Sequence, residues 1–534
     1  MTKSEILLAR VVAGSDWPVL VFVATSLLCA STQAATLSSP YQSSQRGAIG
    51  TGLGQTNLPK GGVFEPRVEA ALQYVSNINM SSDSQAEIDT AGIELSPGFY
   101  ASYSSGVFLG AIDYSLIGRA WDESDYDDVS HLLNTNGEWY AVPEWFSLRG
   151  RADYRDTVID PLQGSNYGGV GIFNSGNLTE LATASISPVL QHDFSKLHFL
   201  AQYQYGRAWY LDEGKGLPTT AGFVLNQDSK DQSFQVSLGN ATDTASPVSA
   251  TVSYDWQKSE YETALPYKYE HAALDLAYQF SRTMSFVGAV GKESDLDAST
   301  TKGGLDSDFW NAGLRYEPNP HTTAEGRYGS RFFGDTWSAS ISHRARLLEF
   351  NASYTEEPTV ETRTLSLGDF NPGELPPGVP PVDLGRVNSA PYVANDASAG
   401  IRGRGSRTSF ALNVHQHDRN YLRVQRADEK DTGISLSATR ELQSNLSADC
   451  EVAYSEYQRS FDPTDPVNTL LAKTRDTTLT LRLNRKAGKS LTFSAETGYV
   501  TRNGDSGLNS PGDADGWWVG LRSRWTPGTA SNKQ

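Results

Sequence analysis

The stretch Leu197-His198-Phe199-Leu200-Ala201-Gln202-Tyr203-Gln204-Tyr205 sets Leu197, Phe199, Ala201, Tyr203 and Tyr205 on one side of an extended chain. His198, Leu200, Gln202 and Gln204 take the other side. Apolar character returns at every second residue, not every third or fourth, so this is a strand with one greasy and one polar face. Just upstream, His192-Asp193-Phe194-Ser195 is a short link to a similar segment over 179–191; just downstream lies the longer polar stretch 211–230. Strand, short link, strand, long link is the unit that repeats along the chain.

The same alternation places Val68, Ala70, Leu72 and Tyr74 opposite Arg67, Glu69 and Gln73, and Leu148, Ala152 and Tyr154 opposite Arg149, Arg151 and Arg155. About 22 such segments (20–24) are read between residues 66 and 525, each long enough for the roughly 9–11 tilted residues that cross a bilayer. Ser105, Pro143-Glu144, Arg282-Thr283, Pro318-Asn319, Ala345, Gln416-His417 and Ala487-Gly488 read as short turns. Between them lie 79–88, 122–129, 159–178, 293–305, 357–405, 459–473 and 503–515, with a tight turn at Gly334 as the exception. A soluble β-sandwich shares the alternation but has no reason to keep short and long links on opposite sides. A closed antiparallel transmembrane β-barrel does, with short periplasmic turns and long extracellular loops. Trp139, Tyr140, Trp145 and Phe146 flank one turn and Trp209, Tyr210, Phe333 and Trp337 lie toward the other rim, as interfacial girdles require.

The rest of the sequence agrees with export. Lys3 and Arg10 precede the apolar run Val19 to Leu28, and Thr32-Gln33-Ala34 supplies small residues for cleavage, so 1–34 reads as a secretory signal peptide. A lipoprotein reading through Cys29 is weaker because Leu28 is bulky. Residues 35–62 read as a flexible periplasmic leader, 63–525 as the barrel and 526–534 as a polar tail. The leader is too short to be the plug domain of a TonB-dependent receptor. Cleavage leaves Cys450 as the only thiol, which excludes a disulfide scaffold. The charge of −18, from 62 acidic against 44 basic residues, argues against a nucleic-acid partner.

Several local motifs then suggest a family. Ala71-Leu72-Gln73-Tyr74 with Asn77 and Asn79, Leu95-Ser96-Pro97-Gly98, and His131-Leu132 through Trp145-Phe146-Ser147-Leu148-Arg149-Gly150 resemble the PEP-CTERM system-associated outer-membrane proteins. Trp310 through Glu317-Pro318-Asn319-Pro320, followed by Tyr328-Gly329-Ser330-Arg331-Phe332-Phe333-Gly334, is similar to that family's pattern too. The resemblance spans roughly 63–525. It implies a barrel of the bacterial outer membrane, often encoded among exopolysaccharide and exosortase genes, with exopolysaccharide and periplasmic export components as partners. It implies no catalytic residue set and no cofactor.

The residues themselves carry no catalytic signature either. There is no GxSxG elbow, SxxK, HExxH or Walker loop. His415 and His417 share a strand face, where a polar position beside a turn is the simpler reading than a metal site. What stands out is the polar face: Arg149, Arg151, Arg155, Arg315, Arg327, Arg331, Arg407, Arg419, Arg423, Arg482, Arg522 and Arg524. Facing lipid, each would cost about 2–4 kcal/mol at the midplane, so they are expected to face the lumen. Two readings stand: an Arg–carboxylate ladder that braces the wall, or a track for an anionic solute, since guanidinium forks grip carboxylates and phosphates at two points. Pro376, Pro377, Pro380 and Pro381 stiffen the long link 357–405, which is read as a pore lid or as a surface ornament. The acidic runs at 122–128 and 293–297 are solvated loops or bind cations bridging lipopolysaccharide. Outer-membrane lipid, lipopolysaccharide and the barrel assembly machinery, which would read the last strand to Trp525, are the remaining expected partners. The function expected is a non-catalytic channel or secretion conduit; the alternatives are a non-conducting structural barrel and a soluble secreted β-protein.

Overall fold

The computed structural model describes residues 61–80, 86–158, 178–211, 228–240, 247–261, 266–294, 307–359, 391–422, 428–460, 472–504 and 512–527. Its first strands are β1 (Gly61–Val75), β2 (Thr90–Ser104), β3 (Phe108–Trp121), β4 (Asp128–Val142), β5 (Phe146–Val158), β6 (Leu178–Phe194) and β7 (Leu197–Tyr210). Then come β8 (Ser229–Asn240), β9 (Val248–Tyr261), β10 (Tyr267–Gln279), β11 (Met284–Ser294), β12 (Ser307–Asn319), β13 (Thr322–Arg331), β14 (Gly334–Arg344) and β15 (Leu348–Thr359). The last are β16 (Tyr392–Arg404), β17 (Thr408–Tyr421), β18 (Asp428–Gln443), β19 (Leu446–Ser460), β20 (Ala472–Ala487), β21 (Leu491–Gly504) and β22 (Ala514–Trp525). The only helical turn among the described residues is the 3-10 turn Ser124–Tyr126.

Each strand pairs antiparallel with the next, and β22 returns to β1 over Val68↔Trp525 to Val75↔Trp518. The sheet is therefore a closed 22-stranded barrel. At about 4.8 Å per strand and a tilt of about 40°, such a ring measures roughly 40–45 Å across its backbone.

Alternation assigns the two faces as the sequence suggests. Leu72, Val252 and Leu521 are 58%, 59% and 60% exposed, and apolar residues like them recur from strand to strand round the whole girth. Water-facing monomers do not carry an apolar belt of this extent, so the soluble β-protein is set aside; lipid is the solvent that fits. Inward residues behave differently along each strand. On β10, Tyr267, Tyr269, His271 and Ala273 are buried while Gln279 is exposed. On β22, Ala514, Gly516, Trp518 and Gly520 are buried, whereas Arg522 and Arg524 are partly open. On β18, Glu429 and Gly433 are buried and Thr439 is exposed. The inner wall is thus packed at the end that carries links such as 159–177 and 360–391, and open at the end of the links 105–107, 143–145 and 488–490. Val75, Ile78, Met80, Trp121, Val500 and Trp518 form an apolar cluster at the packed end.

Three expectations need correction. Gln416-His417 is not a turn between two strands: it lies inside the single strand β17. The strand this costs is recovered as β16, cut out of the expected 357–405 link, so the link itself runs from 360 to 391. The tight connection before β14 is Phe332-Phe333, with Gly334 (φ +128°) opening the strand. The signal peptide, most of the leader (β1 opens at Gly61, inside its expected bound of 62), most of the tail and Pro376, Pro377, Pro380 and Pro381 lie outside the described residues.

Candidate functional site, the inner wall of the barrel

Strand register decides what each inward arginine meets. Arg315 stands directly opposite Glu325 on β13 and donates to it at 2.6 Å. Arg327, two residues along the same strand as Glu325, donates to its other oxygen at 2.6 Å. One carboxylate thus holds two of the predicted guanidinium groups. Arg482 is opposite Glu496 and bonds it at 2.5 Å, while the Trp518 indole N–H donates to the same carboxylate at 3.1 Å. Arg149 is opposite Glu138 at 2.9 Å, and Arg151 bonds Asp153 at 2.7 Å. Arg155 faces the same side beside Asp153. Arg419 is opposite Glu429 at 3.8 Å and packs over the Tyr392 ring at 6.0 Å.

The seam between the first and last strands is tied in the same way. Arg524 is opposite Glu69 and bonds it at 3.2 Å. Arg522 reaches both Glu69 and Glu94 at 3.2 Å, so it joins β22 to β1 and β2. Glu94 also accepts from Arg119 at 3.0 Å, which continues to Asp128 on β4 at 3.1 Å. Arg331 makes the most enclosed contact: it donates to Glu293 at 2.9 Å and to the Tyr269 hydroxyl at 2.7 Å, and Tyr269 in turn donates to Glu293 at 2.8 Å. The Phe332 backbone N–H donates to Glu293 at 3.1 Å.

Nine of the twelve predicted arginines therefore sit against carboxylates. Arg407 departs from expectation: it is exposed in the turn 405–407, because the strand begins at Thr408. Arg423 lies outside the described residues. Sequence reading passed over Arg67, which bonds Asp113 and, at 2.7 Å, Ser115. It also passed over Arg119, Arg459 and the buried pair Arg502–Asp476 at 3.0 Å. Their signal was present: each occupies the polar parity of its own strand. The His417 ring N–H donates to Asp396 at 2.8 Å, and His415 lies 3.4 Å from Asp431. Among the described residues no three His, Cys, Asp or Glu side chains converge as a metal site would need.

Paired charges of this kind are structural in the first instance. Removing one partner from a buried pair costs about 3–5 kcal/mol, because the other is left uncompensated. The pairs toward the open end differ in one respect. Arg149 and Arg524 keep 45% and 42% of their side chains accessible, so their guanidinium edges remain free for a second acceptor.

No family model matches the chain, and no curated protein matches it in sequence. Solved structures do match in shape. The FrpB iron transporter from Neisseria meningitidis, in its apoprotein form, is 9% identical, with 87% of this chain and 81% of that one covered and a TM-score of 0.50. The siderophore receptor PirA from Acinetobacter baumannii is 10% identical over 87% of this chain and 80% of its own, with a TM-score of 0.48. The likeness is one of fold. The chain shares with them the fold of a closed β-barrel.

Proposed function

We propose that this barrel is a non-catalytic outer-membrane conduit for a hydrated anionic polymer, an exopolysaccharide as the PEP-CTERM-type resemblance implies. In this reading the polymer enters at the short-link end, which faces the periplasm. The observation that carries it is the gradient along the inner wall, open where Arg149 and Arg524 stand and packed where Trp121 and Trp518 meet. A wide mouth lined by Ser, Thr, Asn and paired charges suits a hydroxyl-rich chain, which exchanges many weak hydrogen bonds as it slides. Exposed guanidinium edges add two-point contacts to carboxylates or sulfates on that chain. The iron and siderophore cargo of the structural neighbours is not carried over, since the likeness at 9–10% identity extends to the fold alone.

The test is planar-bilayer conductance of the purified barrel with acidic polysaccharide added to one side at a time. Blockade from the short-link side only supports the conduit. A second reading, a non-conducting structural barrel, is favoured by the neutralised arginines and the packed end; absence of any conductance with or without polymer would establish it instead.

A further inference from the structure

Outside the lumen, one region of the lipid-facing surface breaks the rule for cross-strand neighbours. On β7 and β8, Arg207 stands directly opposite Lys230; on β9 and β10, Lys258 stands directly opposite Lys268. Like charges facing each other across antiparallel strands repel. Here two such pairs occupy four consecutive strands, on the outward parity and toward the long-link end. Glu260, opposite Lys230 and bonded to Lys258, is the nearest carboxylate. Glu270, opposite Trp256, shares the outward parity, and Asp228, two residues before Lys230, accepts from the Tyr210 backbone N–H. Among the described residues, Glu260 is the one acid in ion-pair contact with any of these four cations. Arg207, Lys230 and Lys268 form no ion pair with a described residue, and the Arg207 Nε is enclosed without a hydrogen-bond acceptor.

A second outward group shows what balance looks like on the same barrel. Lys430 lies 3.7 Å from Asp418, while Lys473 and Arg475 lie 2.5 and 3.2 Å from Glu456. Each cation there is in ion-pair contact with an acid, Lys473 and Arg475 sharing Glu456. The unbalanced patch also has a defined depth. It adjoins Trp209, over which Arg207 packs at 4.9 Å, and it continues the strands beyond outward Tyr203, Phe234 and Trp256, which are aligned across β7, β8 and β9. Aromatic rings mark the headgroup boundary, so the cations sit at the level of lipid phosphates.

We propose that Arg207, Lys230, Lys258 and Lys268 form a binding site for the phosphorylated headgroup of an outer-leaflet glycolipid, lipid A in chemical class. This rests on the long-link end facing the cell exterior, and it is independent of what the lumen carries. Phosphate oxygens bring negative charge between the facing cations and relieve both repulsive pairs; the acyl chains lie along the apolar band below. Basic side chains at a membrane surface attract anionic lipid in this way.

The full chain in detergent, titrated with bis-phosphorylated lipid A and read by native mass spectrometry, tests the site. The combined Arg207→Gln, Lys230→Gln, Lys258→Gln, Lys268→Gln variant is expected to lose at least tenfold in affinity, and the wild type to prefer phosphorylated over dephosphorylated lipid A by a similar factor. The control Lys430→Gln, Lys473→Gln, Arg475→Gln is expected to bind as wild type does. Should the fourfold variant not fold, Lys230→Gln and Lys268→Gln singly are expected each to weaken binding, and Lys230→Arg to preserve it. Unchanged affinity in the variants, equal loss in the control, or displacement of lipid A by inorganic phosphate at the same phosphorus concentration would overturn the assignment.

Discussion

Glu293 on β11 and Arg331 on β13 bond at 2.9 Å although β12 stands between their strands, and the Glu293 side chain is wholly enclosed. The contact spans three strands because Arg331 is long enough to pass over the intervening one and is fixed at its far end by Tyr269 and the Glu356 carbonyl, the latter at 3.3 Å. Replacing Arg331 with Ala strands a buried carboxylate. The expected loss is about 3–5 kcal/mol, read as a lower urea midpoint for unfolding in detergent. A change within about 0.5 kcal/mol would mean that water reaches Glu293.

Arg522 is expected to govern closure of the seam. It is partly exposed and bonds two carboxylates, so Arg522→Ala should cost about 1–3 kcal/mol. Because β22 and β1 are the strands it joins, the loss should appear as a lower temperature for the shift between compact and extended gel mobility. Ala substitution of Arg407, exposed in a turn, is expected to leave that temperature where it was.

Trp518 lies flat against Gly498 on the neighbouring strand, where any added Cβ would enter the indole ring. Gly498→Leu is therefore expected to displace the ring and destabilise by about 1–3 kcal/mol, and Trp518→Ala to cost about 3–5 kcal/mol by leaving a cavity. Equilibrium unfolding followed by tryptophan fluorescence and by backbone circular dichroism would measure both.

Charge reversal at the open mouth addresses transport. With Arg149→Glu and Arg524→Glu together, the reversal potential in a salt gradient is expected to shift toward cation preference, and blockade by acidic polysaccharide to weaken at least tenfold. Identical selectivity before and after would remove these two residues from the permeation path.

The barrel was legible because its outward residues are greasy wherever lipid touches them; the strands through Leu197 and Leu491 carry that contrast in full. β16 was not, for a physical reason. Its outward set is Val393, Asn395, Ala397, Ala399, Ile401 and Gly403, and its inward set includes Ala394, Ser398 and Gly400, so neither side is strongly apolar. Asn395 pairs with Asp418, and Ala397 with Gln416, which places the polar portion beyond the apolar band, where both faces meet polar surroundings and alternation fades. The same fading made Gln416-His417 look like a turn. Most of the arginines stand on the polar parity of their own strands, whereas their partners depend on register. Arg482 meets Glu496 only because a specific turn sets the offset between β20 and β21, and no single-strand pattern encodes that offset.

The seam has a bearing on synthesis. Residues 514–525 leave the ribosome after the other 21 strands of the barrel, yet they are the ones that β1 must find to seal the cylinder. Any product truncated before Ala514 keeps two bare strand edges, one on β1 and one on β21. Such a fragment would present ready templates for cross-chain pairing, so incomplete translation of this chain yields sticky, degradable material rather than a smaller working molecule.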